Sequence, residues 1–133
     1  MPLLYYILTA SYCTMIFALS SSPDLGTVEL PFNGADKLIH MTLYGGLAAI
    51  VSVGIRRSRK PATPWTQVFA PILFAFFYGF TDEIHQLYVP DRSFDFADMV
   101  ADMAGATTIQ AILCWFWLRY PRAQNETRQR ELK

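Results

Sequence analysis

Asp82, Glu83, His85, Gln86, Arg92, Asp95, Asp98 and Asp102 fall in one short stretch, DEIHQLYVPDRSFDFADMVAD, of a chain whose other long runs are mostly apolar. Carboxylates and imidazoles do acid/base work when their surroundings tune them, and a guanidinium grips phosphate or carboxylate with a planar fork. A smaller set, Asp36, Lys37, His40 and Tyr44, precedes them. On a helix turning about 100° per residue, Asp36, His40 and Tyr44 share one stripe. Asp82, His85 and Gln86 make a second stripe, and Asp95, Asp98 and Asp102 a third. Three helices each offer one polar face.

The elements that carry these faces are of membrane type. In 133 residues there is room for one domain, and 53% hydrophobic content with 15% aromatics exceeds what a soluble domain of this size needs for its core. The spacing predicts an all-α, integral membrane four-helix bundle with spans at about 3–19, 38–55, 68–89 and 94–118. Residues 1–120 form a single transmembrane domain and 121–133 a charged tail. A helical span takes roughly 17 to 25 residues. The third apolar run, VFAPILFAFFYGF, falls short of that unless TDEIHQLYV continues the helix, so the polar cluster is part of a span. Ser20 to Gly34, RRSRKPATP and the Pro-Asp turn in VPDRS are the connectors. Cys13 and Cys114 lie in apolar runs without metal or disulfide spacing and read as small buried hydrophobes.

Charge orients the bundle. Arg56, Arg57, Arg59, Lys60, Arg119, Arg122, Arg128, Arg130 and Lys133 all fall after span two or in the tail, which four spans place on one side. The positive-inside rule makes that side cytoplasmic, with both termini inside. Trp65, Trp115, Trp117 and Tyr120 fall at the same ends, where amphipathic rings favour the headgroup layer. Span one lacks a basic leader region, so it reads as retained although FALSSS offers small residues for cleavage. The polar cluster then opens toward the extracytoplasmic face.

At about 1.5 Å per residue, Asp102 lies roughly 10 Å below Asp95, and Asp82 about as far below Pro90. Acids at such depth must face one another or a water-filled cavity, which predicts a polar pocket among spans two, three and four. Asp36, Asp82, Glu83, Asp95, Asp98 and Asp102 outnumber Lys37, Arg92 and both histidines, so protons, a cation or a ligand must complete the balance. Simpler roles compete at some positions. Asp95 reads equally as a helix cap, Asp91 as a turn residue, and Asp24 and Glu29 as solvated loop acids. Ala97, Ala101 and Gly105, with Ala75, Gly79, Gly45 and Gly46, supply small surfaces for close helix packing.

The blocks D-K-x-x-H-x-x-x-Y (Asp36 to Tyr44), Y-G-F-x-D-E-x-H-Q (Tyr78 to Gln86) and P-x-R-S-x-D-x-x-D-x-x-A-D-x-x-G (Pro90 to Gly105) resemble VanZ-like membrane proteins. The resemblance covers over half the chain. It implies a small multi-pass protein of the bacterial cytoplasmic (inner) membrane, in a family whose namesake is associated with resistance to the glycopeptide teicoplanin. It marks the polar positions as site residues without assigning their roles.

Three classes of function fit. In an enzyme acting on a lipid-linked or cell-envelope amphiphile, Asp82, Glu83 and His85 serve as acid and base, assisted by Asp36 and His40. Arg92, Gln86, Tyr44, Asp98 and Asp102 bind substrate. A divalent cation is a minority alternative within this class, of the oxygen-preferring kind, and no organic cofactor is indicated. The second class is a non-catalytic binder of an envelope lipid or glycopeptide-type drug. The third, proton- or ion-coupled transport, is disfavoured because the charged residues stop in the outer half. Membrane lipids are the expected partners, nucleic acid is not, and neither a catalytic role nor an oligomeric state is fixed by the sequence.

Overall fold

The computed structural model describes residues 1–23, 32, 34–59 and 62–119. Asp24, Glu29, Lys60, Tyr120 and the tail 121–133 lie outside the described residues. Four helices and no strands form within them: α1 (Leu3–Ser20), α2 (Ala35–Arg56), α3 (Pro64–Gln86) and α4 (Phe96–Arg119). α1, α2 and α4 are long and apolar enough to cross a membrane. α3 is not among these, because its end carries Asp82, Glu83, His85 and Gln86, yet its 23 residues extend about 34 Å against a hydrocarbon core of about 30 Å.

Local chemistry sets the helix ends. Thr63 caps α3, its hydroxyl accepting from the Thr66 amide at 3.1 Å, and Pro64 fills the first helical position where no amide hydrogen is needed. α3 therefore begins earlier than the apolar run suggests. It continues through DEIHQ as expected but stops at Gln86 rather than residue 89. Turn bonds from Tyr88 N to His85 O and from Val89 N to Gln86 O replace the helical ladder just before Pro90. Asp91 takes φ 61°, a left-handed conformation that aspartate tolerates better than most residues, and confirms the turn reading. Asp95 caps α4 by accepting from the Ala97 amide at 2.8 Å, so that helix starts at Phe96 rather than 94.

The tightest crossing joins α2 to α4. A methyl group on Gly45 would lie 3.2 Å from the Gly105 carbonyl oxygen, and one on Gly105 would overlap the Met41 backbone. Only glycine allows this approach. Ala101 and Ala106 continue the buried face of α4, whereas Ala97 is exposed and takes no part. Around the crossing, Ile16, Tyr44, Leu47, Ala48, Ala75 and Ala106 form the core. α1 buries only Ile16 and Ser20 fully and packs Tyr12 and Cys13 against the core, while most of its other apolar side chains face outward, as a helix solvated by lipid allows.

Pro71 sits buried inside α3, where proline cannot donate to the carbonyl of residue 67. Gln110 of α4 takes that place, its Nε2 donating to Gln67 O at 2.9 Å, while Gln67 Nε2 donates to Ser52 O of α2 at 3.0 Å. Three helices are thus tied at one level by neutral groups. Beyond this level, the Met1 ammonium donates to Ser58 Oγ at 3.3 Å, Arg57 lies over Tyr5 and Arg56 over Trp117. The N-terminus and the ends of α2 and α4 therefore gather at one end of the bundle, and the acidic cluster occupies the other.

Candidate functional site

The cluster has a cavity-lining half and a bracing half, separated by the geometry of α3. Taking Asp82 as reference and about 100° per residue, Gln86 lies roughly 40° to one side, Glu83 roughly 100° to that side, and His85 roughly 60° to the other. The contacts follow this order. Gln86 Nε2 donates to both Asp82 Oδ2 and Glu83 Oε1 at 3.3 Å. Glu83 turns toward α4 and accepts the Asp95 amide at 2.8 Å, while His85 turns toward α1.

Bracing centres on Lys37. Its ammonium lies 2.9 Å from Asp36 Oδ2, 2.5 Å from Asp95 Oδ2 and 2.7 Å from Asp98 Oδ1, pinning the start of α2 to the start of α4. That hydrogen bond from Lys37, aided by the Ala97 amide, holds the Asp95 carboxyl below the usual carboxylate range. Asp95 is thus both cap and ion-pair partner. Asp98, expected to bind substrate, is engaged by Lys37 and is 8% exposed.

Deeper in, His40 Nδ1 meets Asp102 Oδ1 at 2.9 Å, and His40 Nε2 lies 3.7 Å from Asp98 Oδ2. A carboxylate on Nδ1 fixes the ring and turns Nε2 toward Asp98. Tyr44 stacks parallel to His40 with ring centroids 6.1 Å apart. Asp102 and Tyr44 fit together only because residue 79 is glycine: a Cβ there would come within 2.5 Å of Asp102 Oδ2 and 3.2 Å of Tyr44 Cε1.

A cavity of about 280 Å³ lies beside this pair. Ile16, Leu19, Ile39 and Leu43 form an apolar wall, with Leu19 and Ile39 still 39% and 48% exposed on the outer surface. Asp36, His40, Tyr44, Asp82, Gln86 and Arg92 form the polar side together with Ser20, whose hydroxyl donates to Asp82 Oδ2 at 2.6 Å. Asp82 Oδ1, Tyr44 Oη and Arg92 Nε, all buried, have no hydrogen-bond partner among the described residues, nor has Asp102 Oδ2. Buried polar atoms are rarely left open, because each such atom costs about 1 to 3 kcal/mol.

α1 was not expected at the site, yet it supplies Ile16, Leu19 and Ser20 to the cavity. The pocket expected among spans two, three and four is thus corrected to one lined by α1, α2, the end of α3 and Arg92 of the following turn, with no lining residue from α4. Ser20 read as the start of a connector. The available signal was a run of small hydroxyl residues directly after an apolar helix, at the depth of Asp82. His85, expected beside Asp82 and Glu83 as a proton-transfer group, instead meets Ser21 Oγ at 2.9 Å and packs on Phe17 at 4.4 Å between ring centroids. Ser21 already donates its one hydroxyl hydrogen to Phe17 O, so it accepts from His85, and the two do not form a nucleophile–base pair.

Two groups of ligand-type atoms lie within 4.8 Å of one another: His40, Glu83 and Asp98, and Asp36, Asp95 and Asp98. Lys37 already bridges the second group. The first has the chemistry for an oxygen-preferring divalent cation, with Asp102 orienting the histidine from behind.

Membrane-type helices enclosing a buried acidic cluster define a small polytopic membrane protein with an internal polar site. A family model described as VanZ/LLP1 matches residues 3–119, nearly the whole chain, and the protein belongs to that family. No curated protein and no solved structure matches it.

Proposed function

We propose that this protein receives the polar head of a cell-envelope amphiphile in the cavity beside Asp82 and acts on it by acid/base chemistry. The observation that carries this reading is the convergence of buried, unpartnered polar atoms on a cavity whose opposite wall is apolar. Such a lining matches a molecule with one polar and one apolar end. Arg92 holds an anionic group, the apolar wall takes the adjoining chain, and His40, oriented by Asp102, exchanges a proton with the head group, with Asp82 as a second carboxyl on the same lining. The basic, tryptophan-rich end of the bundle faces the cytoplasm under the positive-inside rule, which puts the cavity at the extracytoplasmic side of the inner membrane with both termini inside.

A second reading, binding without turnover, draws support from how many acids are committed to bracing: Asp36, Asp95 and Asp98 to Lys37, and Glu83 to the Asp95 amide. Untargeted lipid and precursor profiling of a deletion strain, complemented with wild type, His40→Ala or Asp82→Asn, tests both. A metabolite that accumulates in the deletion strain and in both variant strains supports catalysis. Full correction by both variants overturns it, and saturable binding without any changed metabolite selects the binder.

A further inference from the structure

We propose that the head group held in this cavity is zwitterionic: a primary ammonium beside a phosphate, as an aminophospholipid carries. This rests on the reading of the cavity as an amphiphile site and names the chemistry of the occupant.

The polar lining asks for two different things. Asp82, only 4% exposed, keeps Oδ1 open by strict hydrogen-bond geometry, and the hydroxyl of Tyr44, 1% exposed, lies close enough on the same lining to direct its hydrogen at that carboxylate. What the buried carboxylate still lacks is a positive charge, and an ammonium supplies one together with N–H donors. Arg92 asks for the opposite. Its Nε has no hydrogen-bond partner and the side chain makes no ion pair among the described residues, so a phosphate oxygen is the group it lacks. Lys37 cannot serve that phosphate, being surrounded by Asp36, Asp95 and Asp98.

Charge then excludes the simpler ligands. With Asp36 held by Lys37, Asp82 and Arg92 balance on the lining, so a head group carrying only phosphate leaves one negative charge uncompensated and brings Asp82 no N–H donor. A trimethylammonium head brings positive charge but no N–H. A glycerol head brings hydroxyl donors but no positive charge. The apolar wall of Ile16, Leu19, Ile39 and Leu43 favours the lipid over the free head group.

The test is competitive binding to the full chain in mild detergent, read by native mass spectrometry. The probes are phosphatidylethanolamine, phosphatidylglycerol, phosphatidylcholine and polyprenyl phosphate, with soluble phosphoethanolamine as a further arm. Phosphatidylethanolamine is expected to win by about tenfold over each other lipid, the scale of one charge-assisted hydrogen bond. Asp82→Asn should remove that preference, Arg92→Gln should weaken every phosphate-bearing lipid, and soluble phosphoethanolamine should compete poorly. Equal or tighter binding of phosphatidylglycerol, phosphatidylcholine or polyprenyl phosphate to wild type overturns the zwitterion. If that binding still falls with Arg92→Gln, the amphiphile site itself stands. Weak binding of all lipids, unchanged in both variants, overturns both readings. The wild-type ranking needs no variant to fold.

Discussion

The two ends of this bundle bury polar groups in opposite ways. At the basic end Ser52, Gln67 and Gln110 are neutral, and the glutamine amide donors are directed at backbone carbonyls, one of them vacated by Pro71. Only Gln110 Oε1 is left open there among the described residues. At the acidic end the groups are charged, acids exceed bases, and Asp82, Tyr44, Asp102 and Arg92 each keep a buried atom without a partner by strict hydrogen-bond geometry. Neutral amides suffice to hold helices in register inside a membrane. The charged end goes beyond that requirement, and its surplus is what a ligand would use.

Breaking both ends at once gives the largest effect. Gly105→Leu drives a side chain into the Met41 backbone and separates α2 from α4. The expected cost is at least about 3 kcal/mol, seen as loss of folded protein on size-exclusion chromatography and in thermal unfolding. His40→Asn, whose side-chain amide can still donate to Asp102, separates the ends: activity should fall by roughly 10²- to 10⁴-fold, the range for a lost acid/base group, while the unfolding temperature moves little. A parallel loss of stability and activity in that variant would reduce the acidic end to scaffolding.

Asp95→Ala probes the bracing half of the acidic end. Loss of the α4 cap is expected to cost about 1 kcal/mol. Because Lys37 depresses the Asp95 carboxyl, its contribution is complete above the ordinary aspartate value of about 3.9 and is lost as pH falls through the lower folded value. Wild type should therefore lose unfolding temperature in strong acid, and Asp95→Ala should lack that part of the decline. The smallest effect belongs to the basic end. Gln110→Leu removes one interhelical hydrogen bond, worth about 0.6 kcal/mol in membrane helices, and should leave activity at the wild-type level.

Much of this arrangement was legible in the chain. Periodicity placed four helices, the Pro-Asp turn and the Asp95 cap, and the three polar stripes do meet at one end. What could not be read depended on rotation and on neutral groups. The stripe on α3 is wide enough for its members to face different helices, so Glu83 reaches α4 and His85 reaches α1 although both lie close to Asp82 in sequence. Ser20 carries no charge to mark it, and its partner Asp82 is 62 residues away. The Pro71, Gln67 and Gln110 link shows only when a missing helical bond is matched to a donor on another helix. Ala97 continues the small-residue spacing of α4 but is exposed, although Lys37 ties Asp95 and Asp98 on either side of it to α2.

The central claim is that the acidic end keeps its acids for a ligand at some expense of stability, and Asp82→Asn tests it most directly. An asparagine there retains an acceptor for Ser20 and Gln86, presents its amide toward the cavity, and removes one charge from an acid-rich site. Thermal unfolding of the purified full chain in detergent should show an unfolding temperature equal to or above wild type, as expected when a functional strain is relieved. A clearly lowered temperature would show that Asp82 is held for the fold, and would contradict the account.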